Sequence, residues 1–136
     1  MTAVQPLRVI VTVPVYKDTA FLRRAVEAVE ETTPQIAPGF ALLILEDGSN
    51  SSQLVSELKS AYGNLVYIQH DERLGRGKAL REGWEDIDGD VYLYIDVDLA
   101  TDLTKLNAYR DLIMSHPKFD LVTGSRYVPG SERTDL

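Results

Sequence analysis

The chain has 136 residues, 44% of them apolar, which suits a single globular domain with its own core. Fourteen Lys and Arg against 21 Asp and Glu give a net charge of −7, so no broad basic surface exists to release counterions from a phosphate backbone, and no nucleic-acid partner is expected. The absence of Cys excludes disulfides, thiolate nucleophiles and Cys-based zinc sites, and the two His residues, His70 and His116, lie far apart in sequence.

The polar start, Met1 to Arg8, lacks the layout of a secretory signal, so a cytoplasmic location is the expectation. Arg8 to Tyr16 is a Val- and Ile-rich run without polar alternation, which predicts a strand covered on both faces. Asp18 or Thr19 can cap a helix from about Ala20, with Phe21, Leu22, Ala25, Val26 and Val29 inward, that stops before Pro34. Phe40 to Leu45 predicts a second buried strand leading into Glu46-Asp47-Gly48-Ser49. Ser51 or Ser52 can cap the next helix, with Leu54, Val55, Leu58 and Tyr62 inward and Gly63-Asn64 as a left-handed stop. Leu65 to Gln69 is a short strand. Arg73 to Lys78 is then a basic glycine loop, before a helix carrying Ala79, Leu80 and Trp84. Val91 to Ile95 predicts the fourth strand. A helix from Leu103 to Ser115, with Leu106, Leu112 and Ile113 inward, precedes a strand at Leu121 to Thr123. No apolar run approaches the roughly 20 residues that span a bilayer. This alternation predicts an α/β domain, a mainly parallel sheet with helices on both faces.

Polar clusters fall at several strand ends, where ligands collect in open α/β sheets. Asp96 and Asp98 flank Val97, which can point into the core and leave both carboxylates to hold Mg²⁺ or Mn²⁺. An isolated Asp-x-Asp fits a helix cap beside a solvated carboxylate better than a metal site; its place at a buried strand end reverses that preference. Asp47 can accept from a base or ribose, and Gly48 permits close backbone approach, although an acidic Gly turn has the same composition. Tyr16 can pack a nucleobase, and Asp18 is either a ligand or a cap. Gly75 and Lys78 belong to a loop that can neutralise phosphate near a helix start, yet it has neither a Gly-Lys-Ser/Thr ending nor a Gly-x-Gly-x-x-Gly pattern. Arg126, in Gly124-Ser125-Arg126-Tyr127, can clamp a phosphate through its fork of donors, or be an ordinary surface residue.

In order, Val13-Pro14-Val15-Tyr16, Glu46-Asp47-Gly48-Ser49, Gly75-x-Gly77-x-Ala79, Asp96-Val97-Asp98 and Gly124-Ser125-Arg126-Tyr127 resemble the motif series of family 2 glycosyltransferases. The last of them is similar to the polyprenyl-phosphate sugar synthases, including the dolichyl-phosphate mannose and glucose synthases. The resemblance covers nearly all of residues 8–131. It implies a Rossmann-like GT-A fold, a nucleotide-sugar donor of the GDP-mannose or UDP-glucose type, and inverting transfer of a hexose to a lipid phosphate. It also implies peripheral contact with the cytoplasmic membrane face. By position, Pro14, Tyr16, Asp18 and Asp47 would hold the nucleoside. Asp96 and Asp98 would bind the metal, and Asp98 and Arg126 are the expected catalytic residues. Arg73 stands where many relatives have Asn, Glu46 where many have Asp, and Ala100 where mannose synthases often have Gln. Asp102 reads as a helix cap. Family members continue past Gly124-Ser125-Arg126, so the expectation is a donor-binding half, completed by a homodimer or a missing C-terminal partner region.

Other readings compete. A catalytically silent nucleotide-sugar binder or scaffold carries the same motifs, and a family 2 enzyme can act on a sugar hydroxyl. A response-regulator receiver domain would need an acidic pair ending the first strand and a Lys ending the last. A sugar-nucleotide pyrophosphorylase would need a Gly-rich basic loop after the first strand. This chain has neither set.

Overall fold

The computed structural model describes residues 7–35, 37–100, 102–123 and 129. Two compact units are present, the first ending at Leu103 and the second beginning at Thr104.

The first unit is built on four strands, β1 (Val9–Val15), β2 (Ala41–Asp47), β3 (Leu65–His70) and β4 (Val91–Tyr94). They are parallel throughout, in the order β3-β2-β1-β4. Parallel neighbours need crossover connections. Helices α1 (Thr19–Thr32), α2 (Ser52–Ala61) and α3 (Arg76–Glu85) supply them. β1 and β2 are the central pair, which is why their apolar runs do not alternate: both faces are covered. All seven residues of β2 are buried, including Glu46 and Asp47.

The register assigns the faces. Ile10, Leu43, Val66 and Tyr92 share one face with Leu45 and Ile68, and Ala79, Leu80 and Trp84 of α3 pack there. Thr12 lies on the same face, and its hydroxyl accepts the Trp84 indole N–H at 2.8 Å. The opposite face carries Val13, Ile44, Glu46 and Tyr67, beside α2. An Arg23–Glu57 ion pair at 2.8 Å joins α1 to α2. Burial of each Leu, Ile or Val side chain in these layers stabilises the fold by about 1.5–3 kcal/mol. From β3 the chain returns past β2 to place β4 on the far side of β1, so the order reverses between β1 and β4. Crevices at such reversals are where α/β sheets take ligands.

Several local expectations are corrected. Phe21 is 51% exposed because the inward stripe of α1 is Leu22, Ala25, Val26 and Val29, and Phe21 lies about 100° off it. Leu54 and Tyr62 are only half-buried, leaving Val55 and Leu58 as the buried pair of α2. That helix ends on an extended Tyr62, and the positive-φ glycines are Gly39, Gly48 and Gly75, so Gly63 is not a left-handed stop. Helix α3 starts at Arg76, three residues before its first buried side chain, and takes Arg76, Gly77 and Lys78 out of the loop. A short 3₁₀ turn (Leu103–Lys105) leads into α4 (Leu106–Ser115) of the second unit, where Leu106 is buried and Leu112 exposed. Residues 121–123 form no strand, and Leu121 is 79% exposed.

Candidate functional site

At the carboxyl edge of the sheet, Asp47 is 5% exposed and both of its oxygens are engaged. Oδ1 accepts the Leu74 N–H at 2.7 Å and Oδ2 the Gly75 N–H at 3.0 Å. The side chain expected to meet a nucleoside thus anchors the loop leading into α3. Gly48 follows with φ +83°, and a Cβ there would lie 2.9 Å from both Cβ and N of Arg73. Only a residue without a side chain lets the two segments touch so closely. Gly48 N–H also donates to the His70 carbonyl at 2.9 Å.

The same loop carries Arg73 over the ring of Tyr16, with the guanidinium carbon 3.8 Å from the ring centroid, while Lys17 Nζ lies 5.1 Å from it. Each cation is within the distance at which a ring's π system attracts it. Lys17 and, after it, Arg73 hold the Tyr16 phenol below its ordinary pKa, because both favour the phenolate.

Behind this rim is an internal network that sequence patterning does not display. Glu46 is wholly buried and accepts from the Tyr67 hydroxyl at 3.1 Å and from the Ser49 hydroxyl. Ser49 Oγ in turn accepts the Lys17 N–H at 2.9 Å, which secures Lys17 in a left-handed conformation with φ 58°. Tyr67 accepts the Ser51 N–H at 3.1 Å at the start of α2. Burial, reinforced by the Glu46 charge, raises the Tyr67 pKa and keeps the phenol a donor. Glu46 therefore ties the ends of β1, β2 and β3 to α2.

Helix α3 opens at Gly75, in a φ +91°, ψ 150° conformation that suits glycine. The first amides of a helix have no carbonyl of that helix to donate to, and this end carries partial positive charge. Arg76 in that turn reaches Asp96, Nη1 to Oδ1, at 3.9 Å. Lys78, in the same turn, is exposed.

Beyond β4, Val97 is buried while Asp96 is half-exposed and Asp98 exposed, so the flanking carboxylates do leave the core. Asp98 Oδ1 accepts the Ala100 N–H at 3.1 Å, and Leu99 between them is left-handed with φ 60°. No group of three or more His, Cys, Asp or Glu able to hold a metal occurs among the described residues. Two carboxylates nevertheless suit Mg²⁺ or Mn²⁺, cations held by one or two protein carboxylates, with substrate phosphates and water completing the shell. The Arg76 contact shows that Asp96 already takes a positive partner.

Pro14 is half-buried near the end of β1, and Asp18 is the N-cap residue of α1, without a side-chain capping hydrogen bond. Arg126 lies outside the described residues, as does the rest of Gly124-Ser125-Arg126-Tyr127. The structure thus brings Tyr16, Asp47 and Gly75 together through the loop of residues 73–75, and Asp96 to the turn that carries Lys78. Glu46, Ser49, Tyr67 and Arg76 are the additions. The signal available was the polar run at the end of β2 for Glu46 and Ser49 and the basic glycine segment for Arg76, whereas Tyr67, inside β3, gave none.

Comparison with known proteins agrees with this layout. Residues 10–136 match the model of glycosyl transferase family 2. Glycosyltransferase AglD of Haloferax volcanii is 31% identical over 127 residues, covering 90% of this chain and 20% of that protein. The undecaprenyl-phosphate 4-deoxy-4-formamido-L-arabinose transferase of Proteus mirabilis is 27% identical over 95 residues, covering 68% of this chain and 29% of its own length. The chain thus spans less than a third of either relative. Among solved structures, the mannosyltransferase PcManGT of Pyrobaculum calidifontis, in complex with GDP-Man and Mn²⁺, superposes with a TM-score of 0.60 at 18% identity, over 69% of this chain and 28% of that one. TarS from S. aureus gives 0.57 at 21% identity, over 82% of this chain and 33% of that one. With the strand-order reversal, the Asp-x-Asp at its edge and a family match over most of its length, this chain belongs to the family 2 glycosyltransferases and has the GT-A fold.

Proposed function

We propose that this chain binds a nucleotide-sugar at the carboxyl edge of its sheet and serves in transferring a hexose to a polyprenyl phosphate. Residues 1–136 are read as the donor-binding part of a family 2 domain. The observation that carries the reading is the grip of Asp47 on the amides of Leu74 and Gly75, which sets the basic first turn of α3 beside Asp96. That puts cations and a positive helix end next to carboxylates, the pairing a diphosphate with a divalent ion requires. The acceptor class comes from relatives named as undecaprenyl-phosphate transferases. The donor is of the GDP-mannose or UDP-glucose type.

In this reading, Asp96 and Asp98 hold Mg²⁺ or Mn²⁺, which, when bound, supplies Lewis-acid stabilisation of charge on the departing diphosphate. Tyr16 and Arg73 flank the nucleoside, with Pro14 and Asp18 at the rim. Asp47 contributes by fixing the loop. Gly75 lets the backbone approach the phosphates, and Lys78 and Arg76 neutralise them. The acceptor oxygen attacks the anomeric carbon as the bond to the diphosphate breaks, with inversion, and Arg126 steadies the acceptor phosphate. A phosphate monoester has a second pKa of about 6, so the nucleophile is already anionic near neutrality and no general base is assigned. Such an acceptor would bring the protein to a membrane surface peripherally. Among the described residues, no helix is long and apolar enough to cross one.

Calorimetric titration with GDP, UDP and their mannose and glucose conjugates, with Mn²⁺ or chelator, tests this. Binding of one nucleotide series that requires metal and is lost in Asp96→Ala/Asp98→Ala is the expected result. No binding of any nucleotide would refute the donor site.

A further inference from the structure

We propose that Arg76 is a built-in counter-ion for Asp96, which competes with the divalent cation for that carboxylate and makes metal binding depend on the nucleotide diphosphate. This rests on the donor-site reading above and adds a positioning residue to it. Three observations support it. Asp96 Oδ1 lies 3.9 Å from Arg76 Nη1. Arg76 is held in place from behind, since Asp47 fixes the two residues before it through both carboxylate oxygens and Gly48 abuts Arg73. Asp98, the other carboxylate, accepts the neutral Ala100 amide through one oxygen, so the counter-ion contact falls on Asp96.

Electrostatics gives the direction. A guanidinium beside Asp96 lowers the affinity of that carboxylate for any other cation, because the two positive charges repel and the existing pair must break. A diphosphate reverses the balance by offering Arg76 a bidentate partner of higher charge, and Asp96 then becomes available. Metal and nucleoside diphosphate therefore bind with positive coupling, each raising the affinity of the other by the same factor. The pair is largely exposed, at 64% and 45% for the two side chains, so its effect is modest and falls with salt.

Mn²⁺ binding to the 136-residue chain, followed by the electron paramagnetic resonance of free Mn²⁺, reads this out without turnover. In the absence of nucleotide, Arg76→Gln is expected to tighten Mn²⁺ binding by about two- to fivefold, the range set by an exposed ion pair. Arg81→Gln makes the same change in net charge at an exposed position later in α3 and is expected to leave the affinity nearly unchanged. Arg76→Lys keeps the charge and should stay closer to the wild type than Arg76→Gln. GDP or UDP should enhance Mn²⁺ binding less in Arg76→Gln than in the wild type. Equal affinities for the Arg76→Gln and Arg81→Gln chains would overturn the proposal while leaving the donor site standing. Wild-type Mn²⁺ binding indifferent both to Asp96→Asn and to nucleotide would overturn the donor site and this proposal together. Far-UV circular dichroism confirms that each variant is folded.

Discussion

Replacing Asp47 by Asn separates a structural role from a ligand-only role. The carboxylate accepts two backbone N–H groups, at 2.7 and 3.0 Å, in a position 5% exposed. An amide keeps one acceptor oxygen and turns an NH₂ group toward the other N–H, so one charge-assisted hydrogen bond is lost and two donors face each other. Hydrogen bonds to charged groups contribute about 1.5–3 kcal/mol, and Leu74 and Gly75 are only half-buried, which allows water to recover part of the loss. The expected destabilisation is about 1.5–3 kcal/mol without any ligand. For a chain of this size that lowers Tm by roughly 4–12 °C. Urea unfolding followed by circular dichroism measures it, with Asp18→Asn as the control, because Asp18 makes no side-chain capping bond. A ligand-free Asp47→Asn chain within about 0.5 kcal/mol of the wild type, the range of ordinary surface changes, would refute the assignment of Asp47 as the loop's anchor.

Gly48→Ala should destabilise by more than the roughly 1–2 kcal/mol of a left-handed L-residue, since the new methyl also meets Arg73 backbone; a thermal melt tests it. Tyr67→Phe leaves the Glu46 carboxylate and the Ser51 amide each short of a partner and should cost about 1–3 kcal/mol in urea unfolding. Burial raises the Glu30 pKa, so its carboxyl favours the fold while protonated, at pH below its unfolded value, and that contribution fades as pH rises through the folded pKa. Glu30→Gln should accordingly gain stability on the wild type between acid and neutral pH, and parallel melts across that range would show no divergence if the shift were absent. Lys17 is the main cause of the lowered Tyr16 pKa, so Lys17→Met should move the Tyr16 phenolate absorbance change to higher pH, with Tyr16→Phe identifying that transition among the seven tyrosines.

Legibility of this structure from sequence followed the range of the interactions involved. Strands Val9–Val15 and Ala41–Asp47 are visible as uninterrupted apolar runs because each is buried on both faces, and the Val97 between two carboxylates shows its inward turn for the same reason. Phe21 misled because it sits next to the apolar stripe of α1, and a lone aromatic there can go to either side. The start of α3 was misplaced because Gly77 and two basic residues look like a loop, whereas Asp47, nearly thirty residues earlier, caps the segment from outside. Contacts of that kind depend on which strand ends become neighbours. The composition of either segment alone does not contain them. Asp47 shows the consequence for function: its residue type fits a ligand acceptor, and its geometry makes it an anchor.

Lys17 and Leu99 are the non-glycine residues with left-handed backbone among those described, one just past the end of β1 and the other just beyond Asp98. Such a conformation costs a side-chain-bearing residue about 1–3 kcal/mol, which glycine escapes, while glycine's own extra chain freedom costs roughly 0.5–1 kcal/mol. The first effect equals or exceeds the second, so Lys17→Gly and Leu99→Gly delete a side chain on either bank of the crevice while the backbone change itself is neutral or stabilising by up to about 2.5 kcal/mol. Most truncations near a binding site mix lost contacts with lost stability. At these two positions the backbone itself provides the correction, and a change in donor affinity there can be attributed to the missing side chain.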